Sequence, residues 1–253
     1  MFNPKINAYV SVISHQRPYN VERITNLIGD CTFFVNDGEK KSYVKSGANQ
    51  VFESGNNICS ARNKAIKEAK GFPCIQVSDD LSYLREIYFT DTWKGSGGRK
   101  VKDVSFETVA KTMIEELNRT KFWYSGIAVT SNRMNYLKGI DFTHDKLIVN
   151  DLICIMPDCP YEFDEEMALK EDYDFTLTNI LMNGGLVRCN QFFGNFPHRN
   201  NDGGANLYRN SESERKANEK ILGKWGNLLK EHHSRENQIS INYSELKKFL
   251  RQS

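Results

Sequence analysis

Apolar residues fall into short runs separated by polar punctuation, and the period of each run changes along the chain. Ala8 to Ser14 (A-Y-V-S-V-I-S) is β-branched and nearly continuously apolar, the pattern of a strand covered on both faces. It ends in His15-Gln16-Arg17-Pro18, where Pro18 blocks further pairing. Val21, Ile24, Leu27 and Ile28 then follow at helical spacing, with Asn20 placed to cap a helix over 21–28. Cys31 to Val35 reads as a second strand closed by Asn36-Asp37-Gly38, and Gln50-Val51-Phe52 as a third after a Lys-rich linker. Gly55-Asn56-Asn57 precedes a helix over Ile58 to Ala69, stopped at Gly71. This β-α-β-β-α-β order with short connections predicts an α/β domain built on a largely parallel sheet.

The next strand organises the rest. Cys74-Ile75-Gln76-Val77 is apolar and stops abruptly at Ser78-Asp79-Asp80. Two adjacent carboxylates at the end of an interior strand repel each other and resist burial, which calls for a positive charge beside them. A solvated turn is the bland reading of such a pair. In open α/β sheets, ligands bind beyond the carboxyl ends of the strands. Ser14, His15, Asp37, Asp79 and Asp80 all fall at such ends.

Beyond this half the pattern loosens. Trp93 to Asp103 (W-K-G-S-G-G-R-K-V-K-D) is rich in Gly and Lys/Arg and reads as a mobile loop, either a linker or a basic flap for phosphates. Phe106 to Leu117 is an amphipathic helix, and 122–130 and 146–156 read as strands. Lys170 to Phe175 (K-E-D-Y-D-F) precedes a helix over Thr176 to Met182, and Leu186 to Cys189 is a short strand. Acidic residues at a helix start complement its dipole, which explains most such pairs.

Composition narrows the class. With 253 residues, 39% hydrophobic and a net charge of +2, the chain suits one globular domain, 1–208, with a helical extension over 209–253. That extension carries ten Lys/Arg against six Asp/Glu, a bias that suits a solvated helix face or a polyanion. Six cysteines without a C-x-x-C pair read as reduced thiols. No apolar run approaches the ~20 residues needed to cross a bilayer, so the expectation is a soluble cytoplasmic protein with no membrane partner.

The succession of a strand, S-G-N-N-I-C-S-A-R-N, Q-V-S-D-D, K-E-D-Y-D-F and H-R-N-N-D-G-G resembles nucleotide-sugar glycosyltransferases of the GT-A fold, across about residues 8 to 209. The resemblance implies a mixed, mostly parallel sheet flanked by helices. It makes Asp80 the ligand of Mn²⁺ or Mg²⁺, with His198 as a late second ligand, and Asp79 a neighbour of the metal or ribose. It places Ser14, His15, Arg17, Asp37, Arg62, Asn63, Gly203, Gly204 and Arg209 around a nucleotide-sugar donor. Asp172 becomes the general base of an inverting transfer, with Glu171 or Asp174 assisting orientation. Ser78 stands where the first Asp of a D-x-D motif would be.

Within that group the closest likeness is to phage enzymes that glucosylate hydroxymethylcytosine, or add a second sugar to it. The implied partners are therefore UDP-glucose and modified double-stranded DNA. Transfer to a saccharide, lipid or protein is the rival within enzymes. A nucleotidyltransferase would carry a Gly-rich basic loop after the first strand, which Ser14 to Pro18 lacks, and a non-catalytic nucleic-acid-binding module is the reading from another class.

Overall fold

A computed structural model describes residues 1–90, 99–128, 136, 139–167, 169–197, 210–232 and 238–252. The chain opens with strands β1 (Phe2–Asn3) and β2 (Ala8–Ile13), helix α1 (Val21–Ile28), β3 (Thr32–Val35), α2 (Lys40–Lys45), β4 (Gln50–Glu53), α3 (Ile58–Glu68) and β5 (Cys74–Ser78). Then come β6 (Leu84–Phe89), β7 (Arg99–Asp103), α4 (Phe106–Thr120), β8 (Tyr124–Ile127), β9 (Phe142–Thr143) and β10 (Leu152–Ile155). The remainder is α5 (Glu171–Asn183), β11 (Val187–Cys189), β12 (Phe192–Gly194), α6 (Ser211–Trp225), β13 (Leu229–Glu231), β14 (Ile239–Ile241) and α7 (Tyr243–Gln252).

The large sheet runs β4-β3-β2-β5-β10-β8-β11-β9, with β1 added along β2. Strands β4, β3, β2 and β5 are mutually parallel, β10 is inserted antiparallel between β5 and β8, and β11 is parallel to β8. Alternation along each strand splits the core in two. Val10, Val12, Phe33, Val35, Ile75, Val77, Leu152 and Cys154 face the side covered by α1 and α4. Tyr9, Phe34, Cys74, Ile153 and Ile155 face the opposite side, where Ala61 and Ala65 of α3, Phe175 and Leu177 of α5 and Ile221 of α6 pack. The result is a mixed α/β sheet flanked by helices on both faces. A small sheet, β12-β6-β7, sits apart from it.

Several sequence expectations are corrected. Asn20 makes no side-chain cap, because Pro18–Asn20 already forms a helical turn that runs into α1; Asn57 does cap α3, accepting from the Ser60 N–H at 2.8 Å. The Lys-rich linker contains α2, which buries Tyr43. Of the loop expected over 93–103, residues 99–103 form strand β7, paired antiparallel with β6, and 93–98 lie outside the described residues. The strand expected over 146–156 is confined to Leu152–Ile155, since Asn150 and Asp151 turn the chain. Helix α5 begins at Glu171, five residues before its expected start. The C-terminal region carries the β13-β14 hairpin between its helices. All six cysteines are free thiols, and all but Cys159 are buried.

Candidate active site

The parallel register of β2 and β5 pairs Ile13 with Ser78, so the residues that follow, Ser14 and Asp79, meet beyond the sheet edge. The Ser14 hydroxyl donates to Asp79 Oδ2 and is bonded to the Tyr43 hydroxyl at 2.6 Å. The same phenol accepts the Arg17 backbone N–H at 3.0 Å, which fixes the loop after β2. From that loop the Arg17 guanidinium enters the acid pair, with Nη1 at 3.0 Å from Asp79 Oδ1 and 2.7 Å from Asp80 Oδ1. Both carboxylates are 2% exposed. Arg23 holds the turn from below through the carbonyls of Asp79 and Leu81.

The positive charge that the acid pair demanded is thus Arg17. Burial pushes the Asp79 carboxyl up to about 6, against the pull of the Ser14 hydroxyl and the Arg17 charge. Burial works against the charge on Arg17 too, yet the two carboxylates hold its pKa above that of an ordinary arginine. Around this centre, His15 Nδ1 lies 2.6 Å from Glu39 Oε1, and the exposed Asp37 accepts the Gly55 N–H at 3.0 Å. The structure therefore gathers Ser14, His15, Arg17, Asp37, Asp79 and Asp80 at the carboxyl ends of β2, β3 and β5. His198, Gly203, Gly204 and Arg209 lie outside the described residues.

A second acid pair opens α5. Lys170, just before the helix, takes a left-handed conformation (φ +69°) and bridges to Glu214 of α6 at 2.7 Å. Glu171 lies 3.6 Å from Arg62 Nη2. Asp172 accepts the Tyr173 backbone N–H at 2.9 Å. Burial, and next the charge of Glu171, raise the Asp172 carboxyl to about 7; the Tyr173 N–H and Lys170 pull it down, and Asp151 adds a further repulsion. Asp174 does not join this pair. It faces α6, accepting Trp225 Nε1 at 2.7 Å and Lys224 Nζ at 3.0 Å, so its role is to anchor the C-terminal region.

The two centres are adjacent through β10. Its register sets Asp151 beside Ser78, and the Ser78 N–H donates to the Asp151 carbonyl at 2.7 Å. Asp151, Asn150 and Tyr124 are residues of the candidate site that sequence reasoning missed. The Tyr124 hydroxyl donates to Asn150 Oδ1 at 2.6 Å, which fixes the orientation of that amide. The signal for Asp151 was present: an acidic residue opening an apolar run that pairs antiparallel places it at the same sheet edge as Asp79.

Arg62 and Asn63 are used differently from the expectation. Gln76 points to the α3 face of the sheet, and its Oε1 accepts Arg62 Nη1 at 3.2 Å while the Asn150 carbonyl accepts Nη2 at 3.0 Å. Arg62 therefore ties α3 to β5, β10 and Glu171 rather than reaching out as a surface cation. Asn63 clamps the chain at 163–165: it accepts the Phe163 N–H at 2.8 Å and donates to the Phe163 carbonyl at 2.9 Å. Arg62 Nε and Asn150 Nδ2 are buried donors with no hydrogen-bond partner among the described residues, and such groups are met by water or a ligand oxygen. A cavity of about 350 Å³ lies between the start of α3, the stretch that carries Glu166, Met167 and Leu169, and the first half of α6, with Ile58 and Ala217 also in its lining.

Asp79 and Asp80 supply hard oxygen donors, the ligand type that Mg²⁺ and Mn²⁺ take, so the pair suits such an ion in kind. Their Oδ1 atoms are engaged by Arg17. Among the described residues, no three His, Cys, Asp or Glu side chains form a metal-binding group. Also among them, no helix is long and apolar enough to cross a membrane.

No family model matches the sequence, and no curated protein does. Among solved structures, the chain is similar to S. aureus TarS 1-349, at 14% identity over 96% of this chain and 69% of that one, with a TM-score of 0.41. A likeness of that degree leaves the function to be argued from the site.

Proposed function

We propose that this chain is a glycosyltransferase that moves a sugar from a nucleotide-sugar donor to an acceptor hydroxyl with inversion at the anomeric carbon. One observation carries the reading. Two acid pairs of different character are linked through Asp151 at one edge of the sheet, Asp79-Asp80 charge-compensated by Arg17 and Asp172 with its carboxyl raised to about 7. A donor seated beyond β2, β3 and β5 would meet Ser14, His15 and Asp37 on its nucleoside side and the Asp79-Asp80 turn on its diphosphate side.

Asp80, with His198, would hold the divalent ion, which supplies charge neutralisation for the departing diphosphate. The reaction needs a base on the opposite face of the sugar. Asp172 takes the proton from the acceptor hydroxyl, whose oxygen forms a bond to the anomeric carbon as the bond to the diphosphate oxygen breaks and its electron pair leaves with the nucleotide. A carboxylate poised near 7 is matched to that task at neutral pH. Arg62 positions it indirectly, through Glu171 and the Asn150 carbonyl.

The finer reading is UDP-glucose as donor and hydroxymethylcytosine DNA, or its glucosylated form, as acceptor. Its support is the sequence resemblance together with β7, the edge strand of the β12-β6-β7 sheet, where the exposed Lys100 and Lys102 fall on one face. The test is a transfer assay with radiolabelled UDP-glucose and Mn²⁺ on unmodified, hydroxymethylated and glucosylated DNA in parallel. Label on one modified DNA is the expected result. UDP release without label on any DNA moves the acceptor elsewhere, and no release with any donor overturns the enzyme reading.

A further inference from the structure

The Asp79-Asp80 pair is offered to a divalent ion by the proposed function, yet the structure gives it a cation already. Arg17 is 5% exposed, and one of its nitrogens reaches both carboxylates, at 3.0 and 2.7 Å. The guanidinium is planar, permanently charged and weakly hydrated, which makes it the side chain best suited to a buried ion pair. A doubly charged ion brought to the same oxygens would stand against a third positive charge in a site closed to water, where repulsion between like charges is poorly screened. The two occupants compete for the same Oδ1 atoms.

The backbone shows how one can give way to the other. Arg17 is held at its main chain by the Tyr43 hydroxyl and followed by Pro18, so the loop is fixed while the side chain alone spans the distance to the acids. Ser14 and Tyr43, which orient Asp79 from the far side, do not depend on the guanidinium for their bond to each other. Withdrawal of Arg17 therefore leaves Asp79 held by Ser14.

We infer that Arg17 is a built-in counter-cation of the Asp79-Asp80 pair which a divalent ion must displace, so that metal entry and release of the guanidinium are one event. This rests on the reading that the pair takes a divalent ion. The linkage has a direction. Whatever draws Arg17 away from the acids raises their affinity for the ion, and the anionic diphosphate of a donor is a partner of the right charge to do so. Donor and metal would then bind with positive coupling, each equally strengthening the other.

The experiment is Mn²⁺ binding to donor-free protein, followed by calorimetry and by the loss of the free Mn²⁺ electron paramagnetic resonance signal, for the natural chain, Arg17→Met, Arg17→Lys and Asp80→Asn. Arg17→Met is expected to bind about tenfold or more tightly than the natural chain, because the competing state is gone. Arg17→Lys, which keeps a charge but loses the planar fork, falls between them, and Asp80→Asn binds weakly. Equal or weaker binding by a folded Arg17→Met overturns the inference while leaving the metal reading intact. Absence of Mn²⁺ binding in every variant overturns both. Should Arg17→Met not fold, the comparison of Arg17→Lys with the natural chain decides. An arm without substitution follows the Arg17 side-chain N–H resonance during Mg²⁺ titration: a shift that saturates with the binding isotherm supports displacement, and an unmoved resonance at saturation overturns it.

Discussion

The molecule contains the same three chemical parts twice, a pair of adjacent acids and a buried arginine, with opposite results. At the end of β5, Arg17 bridges both carboxylates within 3.0 Å. At the start of α5, Arg62 spends its hydrogen bonds on Gln76 and the Asn150 carbonyl and approaches Glu171 alone, at 3.6 Å. The first pair is compensated as a unit. In the second, burial first and then the charge of Glu171 raise the Asp172 carboxyl to about 7, while the guanidinium reaches Glu171. Placement of the guanidinium thus sets a pair compensated as a unit apart from a pair approached on one side.

Asp172→Asn tests the comparison most severely. Transfer is expected to fall by roughly 10²- to 10⁴-fold, the usual contribution of a general base, while donor binding measured by calorimetry is retained. Full transfer by this variant would remove the base assignment. Next in size, Arg17→Met leaves two buried charges uncompensated and is expected to cost about 3–5 kcal/mol of stability in urea titration. Arg62→Met, which uncovers a single half-buried carboxylate, should cost less; equal losses would break the contrast between the two arginines.

The pH dependence sharpens it further. A base that works deprotonated gives a rate that rises with pH up to about 7 and then levels. Because the charge of Glu171 raises Asp172, Glu171→Gln should move that rise to lower pH. The same raised values have a sign for stability. Asp79 and Asp172 bind protons more tightly folded than unfolded, so their contribution to stability is present at low pH. It is lost as pH climbs from the ordinary carboxylate range through about 6 and 7. Asp172→Asn should flatten the upper part of that loss, read from urea midpoints across pH 4 to 8. Smallest of all, Tyr43→Phe removes two phenol bonds, one with the Ser14 hydroxyl and one from the Arg17 N–H, and Tyr124→Phe removes the one to Asn150, at about 0.5–1.5 kcal/mol per bond. Their effects should add, because the two phenols share no partner.

The parallel half of the fold was legible because its strands are buried on both faces and its helices carry clear periods. Helix α1 matches its expected bounds, and the strand before Asp79-Asp80 ends within one residue of them. Strand β7 was missed because R-K-V-K-D offers one apolar residue in five; its strand state comes from pairing with β6, which no local pattern reveals. The start of α5 was missed because K-E-D-Y-D-F reads equally as a cap or as a first turn, and the left-handed Lys170 decides it. The protein partners of Arg62 were illegible for a related reason. Gln76, Asn150 and Glu171 come from three later segments, and a polar glutamine inside an apolar strand was the one local hint that a buried cation needed an acceptor.

The antiparallel strand β10 has a consequence for how the molecule is made. Strands β2 to β5 can assemble as soon as residue 78 is available, but β5 then stands as an open edge until Leu152 to Ile155 pairs with it. β8 waits for the same strand, since β10 is what joins it to the N-terminal half. Closure is therefore a long-range step, slow by its sequence separation and exposed to wrong pairing while it lasts. The twin charges of Asp79 and Asp80 at its tip are the feature that makes it a poor template for another chain's strand. The two acids proposed for the site would then also blunt that edge while it stands open.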